Sequence, residues 1–309
     1  MHQNAPIWRY GMYFTRTCIK IRQGNADPLP MMGLIQMRSG LGLLAVLVSG
    51  VAHGSEAIPS GLTKAVSILE RTESGKKLLS DARKKGLSIQ EGKISKTEIV
   101  ATRQWVGKRE KLDFQIQVMI SKDKSPVFQA IDLAHELVHA LNPKTNPFDP
   151  KLSAVGYVRE GIESRGGEAH AIMQECKVGQ QLVGIVAEEQ AQLIKARCQF
   201  VWNSEKNQDQ WLKSFYHLGR YLHAFRNQLD AVSGEVEENE RISELSVARD
   251  PMFTSAAANK PYPLALLEEY VEITRKICSR SEKRKSETLA GNPMEERCQS
   301  LSSAVFSTP

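Results

Sequence analysis

The 309-residue chain contains no C-x-x-C pair, so a zinc site built on paired cysteines is excluded. No internal repeat is visible, which sets aside solenoids and propellers, and no cell-wall-binding repeat is present. A short apolar run at residues 41–51 falls well below the roughly 20 residues that a membrane-spanning helix needs. A lasting excess of one charge is missing too. The formal net charge is +6, but residues 1–54 hold five Lys or Arg and one Asp; the rest carries 36 basic and 34 acidic residues, a net +2. That balance leaves no electrostatic footprint for nucleic acid. The basic run at 280–285 is interrupted by Glu282 and reads as a solvated loop or helix end.

Residues 37–54 have the layout of a secretory signal. Arg38 supplies positive charge, 41–51 the apolar core, and Ala52-His53-Gly54 small residues at the two positions a signal peptidase inspects. Cleavage is expected after Gly54, with Gly50 and Ala57 as alternatives. Residues 1–36, with methionines at 31 and 32 and another at 37, read as a non-structural extension from an early start site. The expected location is periplasmic or secreted, with no stable membrane insertion once the signal is removed. Cys18 would be discarded, leaving Cys176, Cys198, Cys278 and Cys298. Four cysteines in an exported domain permit two disulfides with three connectivities. Cys278 and Cys298 bracket a polar stretch containing Gly291, Asn292 and Pro293, which suits a local bridge.

The expected fold class is α+β. Residues 62–71 and 74–85 have helical spacing. Segments 87–94, 98–104 and 111–120 are short, rich in Ile, Val and Phe, and separated by turn residues, which predicts a small antiparallel sheet. A helix over 125–141 follows. Beyond Gly167, residues 168–182, 186–202, 209–229 and 263–280 carry helical periodicity, and 233–261 reads as a long connection or lid. The chain divides into a mixed unit at 55–167 and a helical unit at 168–309.

Within helix 125–141, Ser125 is placed to cap, Pro126 suits the first turn, and Pro143 follows the end. Ala130, Ile131, Ala134, Leu137, Val138 and Leu141 form an apolar stripe; Asp132, His135, Glu136 and His139 fall on the other side. Positions four apart share a helix face, so both imidazoles can reach one metal ion. Glu136 sits one step round the helix, where it can take a proton from water. This H-E-x-x-H spacing is the strongest signal in the chain. His-Glu-Leu-Val-His-Ala resembles the metal helix of zinc peptidases of the zincin fold, and of secreted effector-type peptidases in particular. The likeness covers residues 131–141 and 168–171. It implies a sheet packed on the metal helix, with the strand at 111–120 bordering the cleft and able to pair with an extended peptide.

A catalytic zinc takes three protein ligands and keeps a fourth position open. No His follows His139 at the spacing of the three-histidine version, which leaves a downstream glutamate: Glu160, Glu163 or Glu168. Glu168 opens a long glycine-free run after Gly166-Gly167, with small neighbours Ala169 and Ala171 that allow close helix approach. Glu168-Ala169-His170-Ala171 resembles the E-x-x-A element of bacterial gluzincins, zincins whose third ligand is a glutamate. The Asp that the thermolysin-like group carries four residues after its ligand is absent for all three candidates, where Ser164, Gly167 and Ile172 stand instead.

The resemblance implies a zinc metallopeptidase acting on proteins or peptides. His135, His139 and Glu168 would hold one Zn²⁺, and Glu136 would act as general base. Tyr157, His170, His217 and His223 are candidates for the oxyanion donor. The alternative is an exported non-catalytic metal-binding or adaptor protein; a closed fourth ligand, for instance His170, would favour it.

Overall fold

Helix Pro126–Leu141 runs through the middle of the fold, and the other elements cover its sides. The computed structural model describes residues 11–12, 20–23, 59–106, 109–143, 149, 152–204, 207–230, 232, 251–255, 259–282 and 298. The signal-like segment 37–54 lies outside them. In chain order come β1 (Gly11–Met12), β2 (Lys20–Gln23), α1 (Thr63–Leu69) and α2 (Glu73–Lys84). Next are β3 (Ser88–Gly92), β4 (Lys96–Val106), β5 (Arg109–Ser121), the central α3 (Pro126–Leu141), α4 (Ala154–Glu163) and α5 (Glu168–Leu182). Then follow α6 (Glu188–Ser204), α7 (Gln208–Phe215), α8 (Leu222–Asp230), β6 (Thr254–Ser255), β7 (Lys260–Pro261) and α9 (Tyr262–Glu282). The class is mixed, mostly helical with a small sheet. Strands β1 and β2 fall within the segment set aside on sequence grounds, which the expected cleavage would remove.

Nearly the whole of α3 is buried, on both faces. Ala130, Ile131, Ala134, Leu137 and Val138 pack with Leu62, Ala65, Leu69 and Leu79 in one apolar core. Burying a Leu or Ile contributes about 1.5–3 kcal/mol, so this face alone holds the helix in place. The polar side is also covered, because α5 and β4 close over it. Ser125 does occupy the N-cap position with extended backbone, but its side chain makes no capping bond; its carbonyl accepts from Gln129 N–H instead. The helix ends where Asn142 leaves helical geometry, its N–H and side-chain amide both donating to Val138 O, and Pro143 follows.

The sheet is mixed rather than antiparallel. β4 and β5 form an antiparallel hairpin, whereas β3 pairs with β5 in parallel from Ser88↔Gln117 to Gly92↔Ser121. The sheet order is β2-β4-β5-β3, so β5 lies inside the sheet along its second half. Among the described residues, the side of β5 away from β4 is therefore paired over Gln117–Ser121 and not over Arg109–Ile116. The three-residue connection Lys93–Ser95 is long enough for a hairpin, yet β3 and β4 do not pair: β5 lies between them, and β4 crosses to its far side. β4 carries β2 only over Val100–Arg103, and among the described residues nothing pairs with the outer edge of Lys96–Ile99.

A helix beyond the expected set, α4, covers residues 154–163 and is capped where Ser153 Oγ accepts from Gly156 N–H. Gly161 there lets Leu266 of α9 pack against the backbone; a Cβ would meet its methyl carbons at 2.7 Å. The helix expected over 209–229 is two helices, broken at residues 216–221 where Gly219 adopts φ 49°. α4 to α9 enclose a second core, centred on Trp211, Phe215, Phe225, Tyr262 and Leu266. Cys176–Cys198 and Cys278–Cys298 form disulfides. No helix among the described residues is long and apolar enough to cross a membrane.

Candidate metal centre

Two helices set the centre. His135 and His139 stand one turn apart on α3, and Glu168 is the first residue of α5, packed against α3. The approach is possible because Gly166 and Gly167 precede α5. A Cβ at Gly166 would stand 1.7 Å from Asn142 O, and one at Gly167 would stand 2.6 Å from Ile162 O. The same close pass brings Gly166 O to 2.7 Å from His139 Nδ1.

His135 Nδ1 lies 2.9 Å from Glu175 Oε2. A carbonyl and a carboxylate only accept, so each Nδ1 carries the proton and each Nε2 is left with its lone pair. The two Nε2 atoms then face each other at 3.0 Å. Glu168 Oε2 is 3.4 Å from His135 Nε2, and Glu168 Oε1 is 3.6 Å from His139 Nε2. Bonds of about 2.0–2.1 Å to a tetrahedral ion place donors about 3.3 Å apart, so these separations suit one ion. All three side chains are buried, Glu168 completely. Two nitrogens and a carboxylate are a donor set that suits zinc among the common divalent metals.

Glu163 and Glu160 do not join this cluster. Glu163 Oε1 accepts from the Tyr216 hydroxyl at 2.6 Å, and Glu160 lies half-buried on α4. Of the four oxyanion candidates, His170 and His223 are exposed, Tyr157 packs on Tyr270 within the second core, and His217 is half-buried on the α7–α8 connection. His170 is two residues beyond Glu168, about 200° round the helix, and so faces away from the imidazoles.

Glu136 is 2 % exposed and is held by β4: the Thr97 hydroxyl lies 2.9 Å from both Glu136 Oε2 and Glu136 O. Burial pushes the Glu136 carboxyl up to about 8; Glu168 and Asp132 push the same way, and His135 and Thr97 oppose them. Burial alone would lower the His135 imidazole. The neighbouring carboxylates of Glu168 and Glu175 outweigh it, so His135 is raised well above its ordinary value. In the metal-free protein, a proton on His135 thus occupies the space between the lone pairs that a cation would otherwise fill.

Sequence reasoning missed four residues that the fold gathers here. Glu175 accepts from His135 and is bound by Arg197, whose Nε reaches Oε1 at 3.0 Å and whose terminal nitrogen reaches Oε2 at 3.2 Å. Although burial would raise Glu175, Arg197 and His135 hold it below its ordinary value. Tyr262, the first residue of α9, is fully buried; burial, then the charges of Glu168 and Glu175, push its hydroxyl well up. Thr97 is the fourth. Only Glu175 had a readable signal: it stands seven residues after Glu168, on the same helix face.

Compared with known proteins, the chain matches no family model, and no curated protein and no solved structure is similar to it.

Proposed function

We propose that the protein is an exported zinc-dependent metallopeptidase. The observation that carries this reading is the convergence of His135, His139 and Glu168 donor atoms, all within 4.8 Å of one another, beside the buried Glu136. A zinc ion held by these three would supply Lewis acidity, polarising a carbonyl and lowering the pKa of water towards about 7. His135 and His139 present Nε2 because Glu175 and Gly166 fix their tautomers. Positive charge at the centre favours ionised Glu136, which then takes a proton from the attacking water and passes it to the leaving amine. Thr97 keeps that carboxylate from rotating away. Tyr262 brings a neutral hydroxyl to the same centre, where it can donate to the developing oxyanion. The free edge of β4 at Lys96–Ile99 offers backbone groups to an extended peptide, adjacent to Thr97.

A second reading is an exported non-catalytic metal-binding or adaptor protein. It draws on the depth of the centre, where none of His135, Glu136, His139 and Glu168 is more than 5 % exposed. Metal analysis of the purified protein with a turnover assay on an unstructured protein substrate separates the two. The peptidase reading expects about one zinc per chain, its loss in His139→Ala, and retained zinc without turnover in Glu136→Gln. Zinc with no turnover in the parent protein would move the conclusion to the second reading; equal zinc in His139→Ala would remove the centre altogether.

A further inference from the structure

The residues immediately before each cysteine of one disulfide are the two that brace His135. Glu175 precedes Cys176 on α5, and Arg197 precedes Cys198 on α6. Successive helix residues point about 100° apart. At this single crossing, with the two cysteine Cα atoms 5.3 Å apart, the sulfurs turn into the second core and the Glu175–Arg197 pair turns towards the metal ligands. We propose that the Cys176–Cys198 disulfide is a positioning device for the metal centre: it holds Arg197 against Glu175, which holds His135 in its metal-binding tautomer and orientation. The inference rests on the metal-centre reading above and adds to it that metal affinity depends on a covalent bond between α5 and α6.

Several features make this link specific rather than a general staple. α6 lends no other side chain to the centre; Arg197 is its sole contribution among the described residues. The arginine is not walled in, since a fifth of its side chain is exposed, so burial alone does not force the guanidinium inward. Its long chain would otherwise lose rotamer freedom only for a partly hydrated ion pair. Fixing the Cα of the next residue sets where Arg197 starts from on α6, within reach of Glu175. Arg197 also stands 3.7 Å from Asp132, which accepts from Ser95 and Lys124 and lies one turn before His135 on α3. The brace therefore grips the metal helix at two points, both reached through the residue next to the disulfide. Elsewhere α5 and α6 are joined by Ile194 seated on Gly179 and by the Trp202 indole N–H, which donates to Cys176 O at 3.0 Å; neither touches the Arg197 side chain.

The test uses the full chain and reads Zn²⁺ affinity by competition with a chromophoric chelator. Thermal melting of the metal-free proteins and ¹⁵N shifts of the His135 imidazole accompany it. Cys176→Ala/Cys198→Ala removes the bond without placing a polar group in an apolar site, and Glu175→Gln removes the carboxylate. Each is expected to weaken zinc binding 10- to 100-fold, the range for losing an outer partner of a ligand histidine. Each should also move the His135 Nδ1 resonance, because the Nδ1–H bond to Glu175 is loosened or lost. Combining them should cost little beyond either alone, because both act through one contact. A folded disulfide-free protein with zinc affinity within twofold of the parent, or losses that multiply in full, would overturn the inference while leaving the metal centre standing. If that variant does not fold, Arg197→Gln decides: about tenfold weaker zinc supports the brace, and unchanged affinity overturns it. A parent protein that binds no zinc would instead bring down the metal-centre reading, and this inference with it.

Discussion

His135 and His139 hold their Nε2 atoms 3.0 Å apart while both Nδ1 atoms are committed to oxygen acceptors. Two lone pairs facing each other at that distance repel unless something positive lies between them. Glu168 reaches the same space from α5, and its charge adds to the demand. The protein has concentrated negative potential at one buried point, and the arrangement is stable only with a proton or a cation there.

Substitution should therefore separate the carboxylates by role. Glu168→Ala is expected to weaken zinc binding and turnover together, because Glu168 is proposed as a ligand. Glu163→Ala should spare the metal, since Glu163 is engaged with Tyr216. Plasma emission spectroscopy on dialysed proteins measures both. Zinc lost from Glu163→Ala and kept in Glu168→Ala would transfer the ligand role to the earlier helix.

Without metal, the centre should make stability fall as pH rises. Glu136 is raised from 4.5 to about 8, so the folded state binds its proton more tightly than the unfolded state does. That contribution is complete below about pH 4.5 and is lost by about pH 8. His135, raised above 6.5, acts with the same sign and is lost as pH passes its folded value. Glu175, lowered from 4.5, works the other way, but only at acid pH below that range. Melting curves of metal-free protein at pH 5, 6.5 and 8 should show a decline that Glu136→Gln makes shallower, because the amide has no proton to lose. Parallel pH dependence in the two proteins would contradict the burial of Glu136 as a proton-holding acid.

What could be read from the chain follows the range of the interactions involved. The metal helix and the start of α5 at Glu168 were legible because their signals are local: an i, i+4 histidine pair, a flanking proline, and two glycines before a breaker-free run. The parallel placement of β3 was not, because nothing in residues 88–92 encodes which side of β5 they take. α4 was hidden by Gly156 and Gly161, whose low helix propensity is offset by packing against α9. Tyr262 lies 94 residues beyond Glu168 and reaches the centre only because β6 and β7 turn the chain back at Asn259, φ 49°. The Cys278–Cys298 bridge was anticipated from the polar stretch it encloses; the pairing of Cys176 with Cys198 needed the α5–α6 packing.

Export predicts two features of the isolated protein. The N-terminus should lie near Ser55, and no free thiol should remain among Cys176, Cys198, Cys278 and Cys298. Intact mass with and without reductant, followed by alkylation, measures both. Four alkylatable thiols before reduction, or a terminus upstream of Met37, would contradict the export reading. Cleavage would also remove β2, leaving the outer edge of β4 free over Val100–Arg103 as well.

Tyr262 supplies the sharpest division between holding the metal and performing chemistry. Its ring is fully buried and packs near Phe215, with ring centroids 5.9 Å apart, so Tyr262→Phe keeps the apolar contacts and removes one hydroxyl. The hydroxyl lies near Glu168, whose charge helps push it up, but is not a ligand in the proposed set; zinc affinity should therefore change little. If that hydroxyl donates to the oxyanion, kcat should fall about 10²- to 10³-fold, the usual loss for one such donor, with KM nearly constant. A tyrosine that served only to orient Glu168 would behave differently. Removing its hydroxyl would weaken zinc binding in step with turnover, and excess zinc in the assay would restore the rate. Zinc titrations of Tyr262→Phe under turnover conditions distinguish the two roles, and recovery by added metal would rule out the oxyanion assignment.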